Sequence, residues 1–315
     1  MLEEIRKGIY RLAVRFPRGK EKTNCYLIEG KSGYTVVDTG IYSESAIQTW
    51  KDVMDSGIHV EKVVLTHVHQ DHIGLAAWFQ RETGVPVIIS EQGYQVMKKL
   101  RSAANIERLN HILPKHGGPR LKSDAMKDDS FIYDLEPDQL FSEGESLRLG
   151  DEEYEAIWTP GHAPDHFCFY NRERQLMIAG DHILKKISPV IGLWEGEEGN
   201  PLKDYYRSLD LIEPYQVVLA LPGHGEMIEN FRERVRETKR KHDQRLDQVL
   251  SLVQDKPVTA GEVCRKIYGE GSFPSMTSMF MASLTRLIYL EEEGRLQRSE
   301  VDGVYHFRIA ESEEN

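Results

Sequence analysis

The sequence predicts an α/β fold that passes, near residue 225, into a smaller and mainly helical C-terminal part. Three observations predict it. Strand and helix patterns alternate over residues 9–89, five further strand patterns follow a break at 91–140, and long charged helices with a closing hairpin occupy the rest. A chain of 315 residues has room for this, either as two domains or as one large domain with an appendage.

Residues 9–14, 24–29 and 34–38 are rich in β-branched and aromatic residues and read as strands, the last two joined by a Glu-Gly-Lys-Ser-Gly hairpin turn at 29–33. Residues 43–56 have helical spacing, with Ile47, Trp50, Val53 and Met54 on one face. A short buried strand at 63–65, a helix at 74–83 and a strand at 85–89 follow. The 91–140 segment interrupts this rhythm with a helical stretch (94–112), a Gly-rich loop (115–119) and a charged run without periodicity. An insert of that length is expected to act as a lid or binding loop. Strands resume at 146–149, 154–158, 167–170, 176–179 and 217–220.

Residues 228–253 form one charged helix with Phe231, Val235, Leu246, Val249, Leu250 and Val253 as its apolar face, ended by Pro257. Helices at 259–268 and 276–293 and a hairpin at 296–309, turning at Asp302-Gly303, complete the chain. Three helices followed by a hairpin is the layout of a winged helix. The expected division is therefore 1–225, a linker helix at 226–255, and a winged-helix domain at 256–315.

Hydrophobic residues make up 40% and charged residues 29%, which places the chain among globular proteins. No apolar run is long enough to cross a membrane, and the acidic-basic N-terminus lacks the apolar core of a secretory signal. The three cysteines, Cys25, Cys168 and Cys264, are far apart and form no CxxC pair, so neither a disulfide framework nor a thiolate zinc site is expected. A cytoplasmic setting fits best. The net charge of −11 disfavours duplex DNA as a partner, because phosphate repels it.

The chemistry concentrates in the run Thr66-His67-Val68-His69-Gln70-Asp71-His72, directly after the apolar Val63-Val64-Leu65. Imidazoles and carboxylates gathered at a strand end are a metal site first, and zinc in a hydrolytic site wants such ligands with one position left for water. Three more candidates close apolar runs: His162 after Gly161, Asp181 after Gly180, and His224 between Gly223 and Gly225. Glycines beside them permit close backbone approach. No serine or cysteine nucleophile has a convincing partner. His166 and His182 read as packing or supporting groups beside the ligands. His116, in the insert's Gly-rich loop, reads as a solvent-exposed loop histidine, with a reach from a lid as the alternative. Lys185 and Lys186 read as a solvated pair or as a hold on an anionic substrate.

These elements resemble the metallo-β-lactamase superfamily, whose members carry the same His-x-His-x-Asp-His segment followed by Gly-His, Gly-Asp and Gly-His-Gly elements. The resemblance covers residues 8–225 in order and spacing. It implies a four-layer αββα sandwich and a two-metal hydrolase: His67, His69 and His162 on one ion, Asp71, His72 and His224 on the other, and Asp181 bridging. Two zinc ions are implied, with iron or manganese as alternatives. Asp38, in Val-Val-Asp-Thr-Gly at 36–40, matches the family's first motif and would support the ligand loop rather than ligate. Catalysis would follow from a water shared by two ions about 3.5–4 Å apart, its pKa lowered toward neutrality, with Asp71 and Asp181 as the expected catalytic carboxylates.

An aspartate at 181 argues against antibiotic hydrolysis, since lactamases proper often place cysteine or histidine there. The C-terminal part resembles the winged helix of the β-lactamase-like protein 2 subgroup, carried by Thr259-Ala260-Gly261-Glu262-Val263 and Asp302-Gly303-Val304-Tyr305, rather than the glutathione-binding helical domain of glyoxalase II-type thioesterases. The leading expectation is hydrolysis of a small ester, thioester or lactone. Subgroup resemblance makes an endoribonuclease acting on single-stranded RNA the alternative, and an iron-dependent persulfide dioxygenase the third reading. From Lys256 onward seven bases face ten acids, so major-groove reading is disfavoured. The linker helix, with Arg232, Arg234, Arg236, Lys239, Arg240, Lys241 and Arg245, offers either a modest basic face for RNA or plain solubilising charge. The winged helix is expected to serve as a lid wall or a homodimer contact.

Overall fold

The computed structural model describes residues 2–102, 105–122, 130–194, 196, 198–273 and 275–311. Two sheets lie face to face. The first has seven strands in chain order: β1 (Leu2–Arg6), β2 (Ile9–Arg15), β3 (Lys22–Gly30), β4 (Gly33–Val37), β5 (Val60–Val64), β6 (Val87–Ser90) and β7 (Gln139–Phe141). Pairing is antiparallel up to β4 and parallel from β4 to β7. The second has five strands, β8 (Ser146–Leu149), β9 (Glu152–Trp158), β10 (Phe167–Asn171), β11 (Leu176–Gly180) and β12 (Leu219–Pro222), in the order β12-β11-β10-β9-β8. The last pair, β11 and β12, is parallel.

Period-two alternation sorts each strand's side chains between two apolar layers. Tyr26 and Ile28 of β3, Phe167 and Phe169 of β10, and Leu176 and Ile178 of β11 meet in the core between the sheets. Their neighbours Cys25 and Leu27 face outward, toward α1 (Glu44–Asp55), α2 (Gln70–Ile73), α3 (Ala76–Trp78) and α4 (Glu91–Ser102). Cys168, Tyr170, Met177 and Ala179 face the other way. Against them pack α5 (Asn105–Ile112), α6 (Pro201–Ile212), α7 (Phe231–Val253), α8 (Ala260–Tyr268) and α9 (Thr277–Glu292). Helix, sheet, sheet and helix make the four layers expected from the sequence.

The differences from expectation are local. β1 and β7 lie at sheet edges, and their mostly exposed residues leave no alternation to read. The helix expected at 74–83 starts earlier, breaks at Gly74-Leu75, and ends in a π-turn at Phe79–Thr83 closed by the left-handed Gly84. Gly74 sits so close to the backbone of Tyr42 and Gly40 that a Cβ there would lie 2.5 Å from Tyr42 N. The helical stretch of the insert begins at Glu91 and is two helices, α4 and α5. Part of its charged run, 123–129, lies outside the described residues. Val96, Met97 and Leu100 of the insert join the first outer layer, while Leu109, Ile112 and Leu113 join the second, so the insert straddles one edge of the sandwich.

The C-terminal part follows the expected order, with α8 opened by a Thr259–Glu262 capping box and a hairpin of β13 (Leu296–Val301) and β14 (Val304–Ile309). Positive φ at Asp302 and Gly303 makes the tight turn. This part shares one apolar cluster with the second outer layer: Tyr205 and Leu209 of α6, Val235 and Leu246 of α7, Phe280 and Leu284 of α9, and Phe307 of β14. α7 buries Arg234 and His242 in the same stripe as its apolar residues. Its exposed cations are largely engaged: Arg236 with Glu213 (2.8 Å), Lys239 with Asp210, Arg240 with Glu233 (2.7 Å) and Lys241 with Glu237 (2.7 Å).

His116 corrects the sequence reading. It is fully buried, its ring 18° from parallel to that of Phe307 and 5.2 Å from that of Tyr305, with Nε2 3.4 Å from Glu198 Oε1. It fastens the insert to the closing hairpin. Burial pushes its pKa down to about 4, against the pull of Glu198. The unfolded chain, with an ordinary pKa near 6.5, therefore takes up a proton that the fold refuses. Stability contributed here is complete above pH 6.5 and is lost as pH falls from there toward 4, by up to about 1.4 kcal/mol per pH unit. Urea unfolding across that window is expected to show a shallower acid decline in His116→Gln than in the parent; an equal slope would contradict this assignment.

Candidate metal centre

The seven candidate ligands converge at one edge of the sandwich. β4, β5, β9, β11 and β12 end there, and the loops after the last four carry His67, His69, Asp71, His72, His162, Asp181 and His224. Each loop is tied down by its own bond. Asp38, just past β4, adopts a left-handed φ of 60°, sparsely populated for a non-glycine residue. Its Oδ1 accepts from Thr66 N (2.8 Å), and its Oδ2 accepts from Thr66 Oγ1 (2.8 Å) and contacts His72 Nδ1 (2.8 Å).

These bonds decide which nitrogen faces inward. Thr66 gives its only hydroxyl proton to Asp38, so at 3.0 Å His67 Nδ1 is the donor to Thr66, and His67 Nε2 carries the lone pair. His162 Nδ1 donates to Val190 O (2.8 Å) and His224 Nδ1 to Lys22 O (2.7 Å), again turning Nε2 toward the others. His166 differs. Its Nε2 accepts from Asp181 N (3.0 Å) and its Nδ1 meets Thr159 Oγ1 (2.8 Å), so both ring nitrogens are used and it positions Asp181 instead. His182 is buried against Tyr205, outside both groups of candidate ligands.

Two groups of ligand atoms result. In His67, His69 and His162, and again in Asp71, His72, Asp181 and His224, the atoms lie within 4.8 Å of one another. Asp181 Oδ2 stands between them, 3.5 Å from His162 Nε2, 3.5 Å from His72 Nε2 and 3.2 Å from His224 Nε2. Asp71 Oδ2 is 3.0 Å from His224 Nε2. Nε2 of His67, His69 and His72 and Oδ1 of Asp181 are buried without hydrogen-bond partners. Native proteins rarely leave such atoms unsatisfied, and Nε2 of His67 and His72, facing the cluster, fit a cation; His69 faces it with Nδ1, 3.0 Å from His162 Nε2.

The charges agree. Burial pushes His67 and His162 down and His69 to about 3, so the first group is neutral imidazole, the form that ligates metal. In the second group burial also pulls His72 and His224 down, but the carboxylates overcome it and raise His224 to about 10. Burial raises Asp71 and Asp181, yet His72 and His224 win and hold Asp71 at about 2. Carboxylates that raise two buried imidazoles against the cost of burial make this second group electronegative, which suits a cation.

Glycines allow the approach. A Cβ on Gly223 would fall 2.2 Å from Asp181 Oδ1, and one on Gly161, at φ 137°, 2.5 Å from Tyr205. Sequence reasoning missed Asp165, whose Oδ2 accepts from Val68 N at 2.9 Å and steadies the loop between His67 and His69. Its place three residues after His162 was the available signal. The carbonyls of Val190 and Lys22 carry none. Lys185 and Lys186 turn to Glu226, at 3.5 and 2.6 Å, rather than to the site. A cavity of about 890 Å³ opens over the ligands, walled by Phe16, Lys20, Lys22, Arg108 and Trp194 among others.

A family model described as the metallo-beta-lactamase superfamily matches residues 18–224. The chain belongs to that superfamily. Its members are hydrolases, and this chain carries a His/Asp cluster able to hold metal where the superfamily binds divalent ions. The chain is 26% identical to the probable metallo-hydrolase YqjP of Bacillus subtilis over 77% of this chain and 79% of that protein. It is 27% identical to the beta-lactamase-like protein 2 homolog of Caenorhabditis elegans (79% and 71% covered). To the atrochrysone carboxyl ACP thioesterase of Aspergillus fumigatus it is 28% identical, covering 74% of this chain and 60% of that one. Among solved structures, a superfamily protein from Thermus thermophilus superposes with a TM-score of 0.83 at 29% identity, covering 97% of this chain and all of that one. A beta-lactamase domain protein from Burkholderia ambifaria gives 0.85 at 27%, covering 98% and 93%. The C-terminal part is therefore within the shared architecture.

Asp38 generates a direct test. Asp38→Asn turns an amide N–H toward the Nδ1 proton of His72 and loosens the ligand loop, so metal affinity is expected to fall about 10–100-fold. Metal titration of the stripped protein checks this; parent-like affinity would refute the orienting role.

Proposed function

We propose that this superfamily hydrolase uses two divalent ions, zinc by ligand type, to cleave a small acyl ester or thioester. The observation that carries the reading is the position of Asp181 Oδ2, within 3.5 Å of candidate ligands in both groups. In this reading His67, His69 and His162 would hold one ion and Asp71, His72 and His224 the other, with Asp181 placed to serve either. Ions bound there would lower the pKa of water and polarise a carbonyl oxygen.

The protein's own groups do the rest. Asp38 and Asp165 fix the ligand loop from two sides, so the imidazoles need little reorganisation when substrate arrives. Phe16, Leu184 and Trp194 give the cavity apolar surface for an acyl chain, and Lys20 and Lys22 give it positive charge at the same mouth. A thiolate, with a parent thiol pKa of about 8.5, leaves without prior protonation, so thioester cleavage makes little demand on a general acid. The thioesterase relative supports the same substrate class. A small substrate is further supported by α7, where Arg236, Lys239, Arg240 and Lys241 are paired with carboxylates rather than presented as a phosphate track. We read α7 to β14 as a winged helix that walls the cavity, since Ser278 of α9 lines it.

Protein purified without chelators is expected to contain two divalent ions per chain and to hydrolyse short acyl thioesters. Stripping the metal, or Asp181→Asn, is expected to lower that rate at least about 100-fold. Undiminished hydrolysis after stripping would end the proposal. A single iron with oxygen uptake would favour dioxygenation, and specific cleavage of labelled single-stranded RNA would favour the nuclease.

A further inference from the structure

A second cavity, of about 770 Å³, lies between α7, α9 and residues 186–191. It shares residues 187–190 and Ser278 with the cavity over the metal centre. Among the described residues its wall holds Lys186, Lys241, Arg245 and Arg286 and no carboxylate, in a chain where acids outnumber bases 51 to 40. Two of these cations are neutralised elsewhere, Lys186 by Glu226 and Lys241 by Glu237. Arg286 is not. It is only 9% exposed, its Nη1 donates to Tyr268 Oη at 3.1 Å, its Nε has no partner, and among the described residues it enters no ion pair. Beside it in the wall, His242 is 4% exposed with Nε2 unpartnered. At the rim, Arg245 donates to Gln248 Oε1 (2.6 Å) and likewise meets no carboxylate among the described residues.

A buried charge without a counter-charge is destabilising, and an apolar residue on α9 would avoid the penalty. A guanidinium kept there and turned into a cavity is a recognition group. Its planar fork suits the oxygens of phosphate. Arg286 and His242 sit inside the hollow and only Arg245 stands at its rim, which suits a small phosphoester and not a polymer.

We propose that this cavity binds a phosphate group, held by Arg286 with Arg245 and His242, and that the phosphate rides on the tail of the substrate whose acyl end lies at the metal centre. The second half rests on the thioester reading above; the first does not.

Calorimetric titration with adenosine 3′,5′-bisphosphate and with inorganic phosphate tests the first half on the full chain. The bisphosphate is expected to bind the parent, and Arg286→Met to weaken it at least about tenfold. Arg245→Gln, at an exposed position, should weaken it about threefold and covers the case in which Arg286→Met fails to fold. Absence of binding at millimolar ligand, or binding that neither variant alters, as for phosphate sitting at the metal centre, would overturn the site. For the second half, KM is compared for a coenzyme A thioester and the same acyl group on N-acetylcysteamine, which lacks phosphate. A rise in KM confined to the coenzyme A thioester, with kcat unchanged, supports the substrate tail. KM values equal across all variants, with bisphosphate binding still lost, would overturn the tail and leave free phosphate as the ligand. If no thioester is cleaved at all, the function reading fails while the binding result stands.

Discussion

The bond set around Asp38 is the constraint on which the site depends. One carboxylate, held in a strained backbone conformation at the end of β4, receives the backbone and hydroxyl of Thr66 and fixes Nδ1 of His72. Thr66 in turn fixes Nδ1 of His67. Two inward-facing nitrogens on a mobile kind of structure, a loop, thus acquire the rigidity of the sheet beneath them. Strain of this sort survives only where the surroundings over-determine it, and here a parallel pair of central strands does so.

Sheet geometry supplies the remaining order. Strands β9, β11 and β12 run in one direction, so their following loops open at the same edge. Glycines at those ends bring backbone and ligand together at distances a Cβ would forbid. The insert and the C-terminal helices then close over this edge from the two outer layers, which is why one cavity touches residues as distant in sequence as Arg11, Arg108 and Ser278.

Much of this was legible in the sequence, for identifiable reasons. The strands and helices follow from alternating and continuous apolar runs, their stacking in four layers was implied by the resemblance the ligand motifs carry, and the ligand side chains announce themselves as histidines and aspartates beside glycines. What escaped notice lacks a side-chain signature. Edge strands expose both faces, the carbonyls of Val190 and Lys22 belong to residues of no particular type for that task, and Asp165 reads as an ordinary loop acid until the Val68 amide is seen to need it. His116 misled because a histidine among glycines looks like loop surface; only the aromatic rings of a hairpin almost two hundred residues later bury it. Arg234, His242 and Arg286 likewise sit where helical periodicity asks for apolar residues; Arg234 donates to the carbonyls of Leu184 and Ile187 and Arg286 to the Tyr268 hydroxyl, contacts only the tertiary fold supplies.

The spread of the ligands along the chain has a kinetic corollary. His67 and His224 are contributed by strands on different sheets, and Asp181 by a strand between them in sequence. Closing loops of that length is slow and entropically unfavourable, so the ion cannot act as an early template that gathers a disordered chain. A ribosome must add more than 150 residues after His67 before the last imidazole exists. An ion held there would bind late, on a sandwich already assembled by its aliphatic layers.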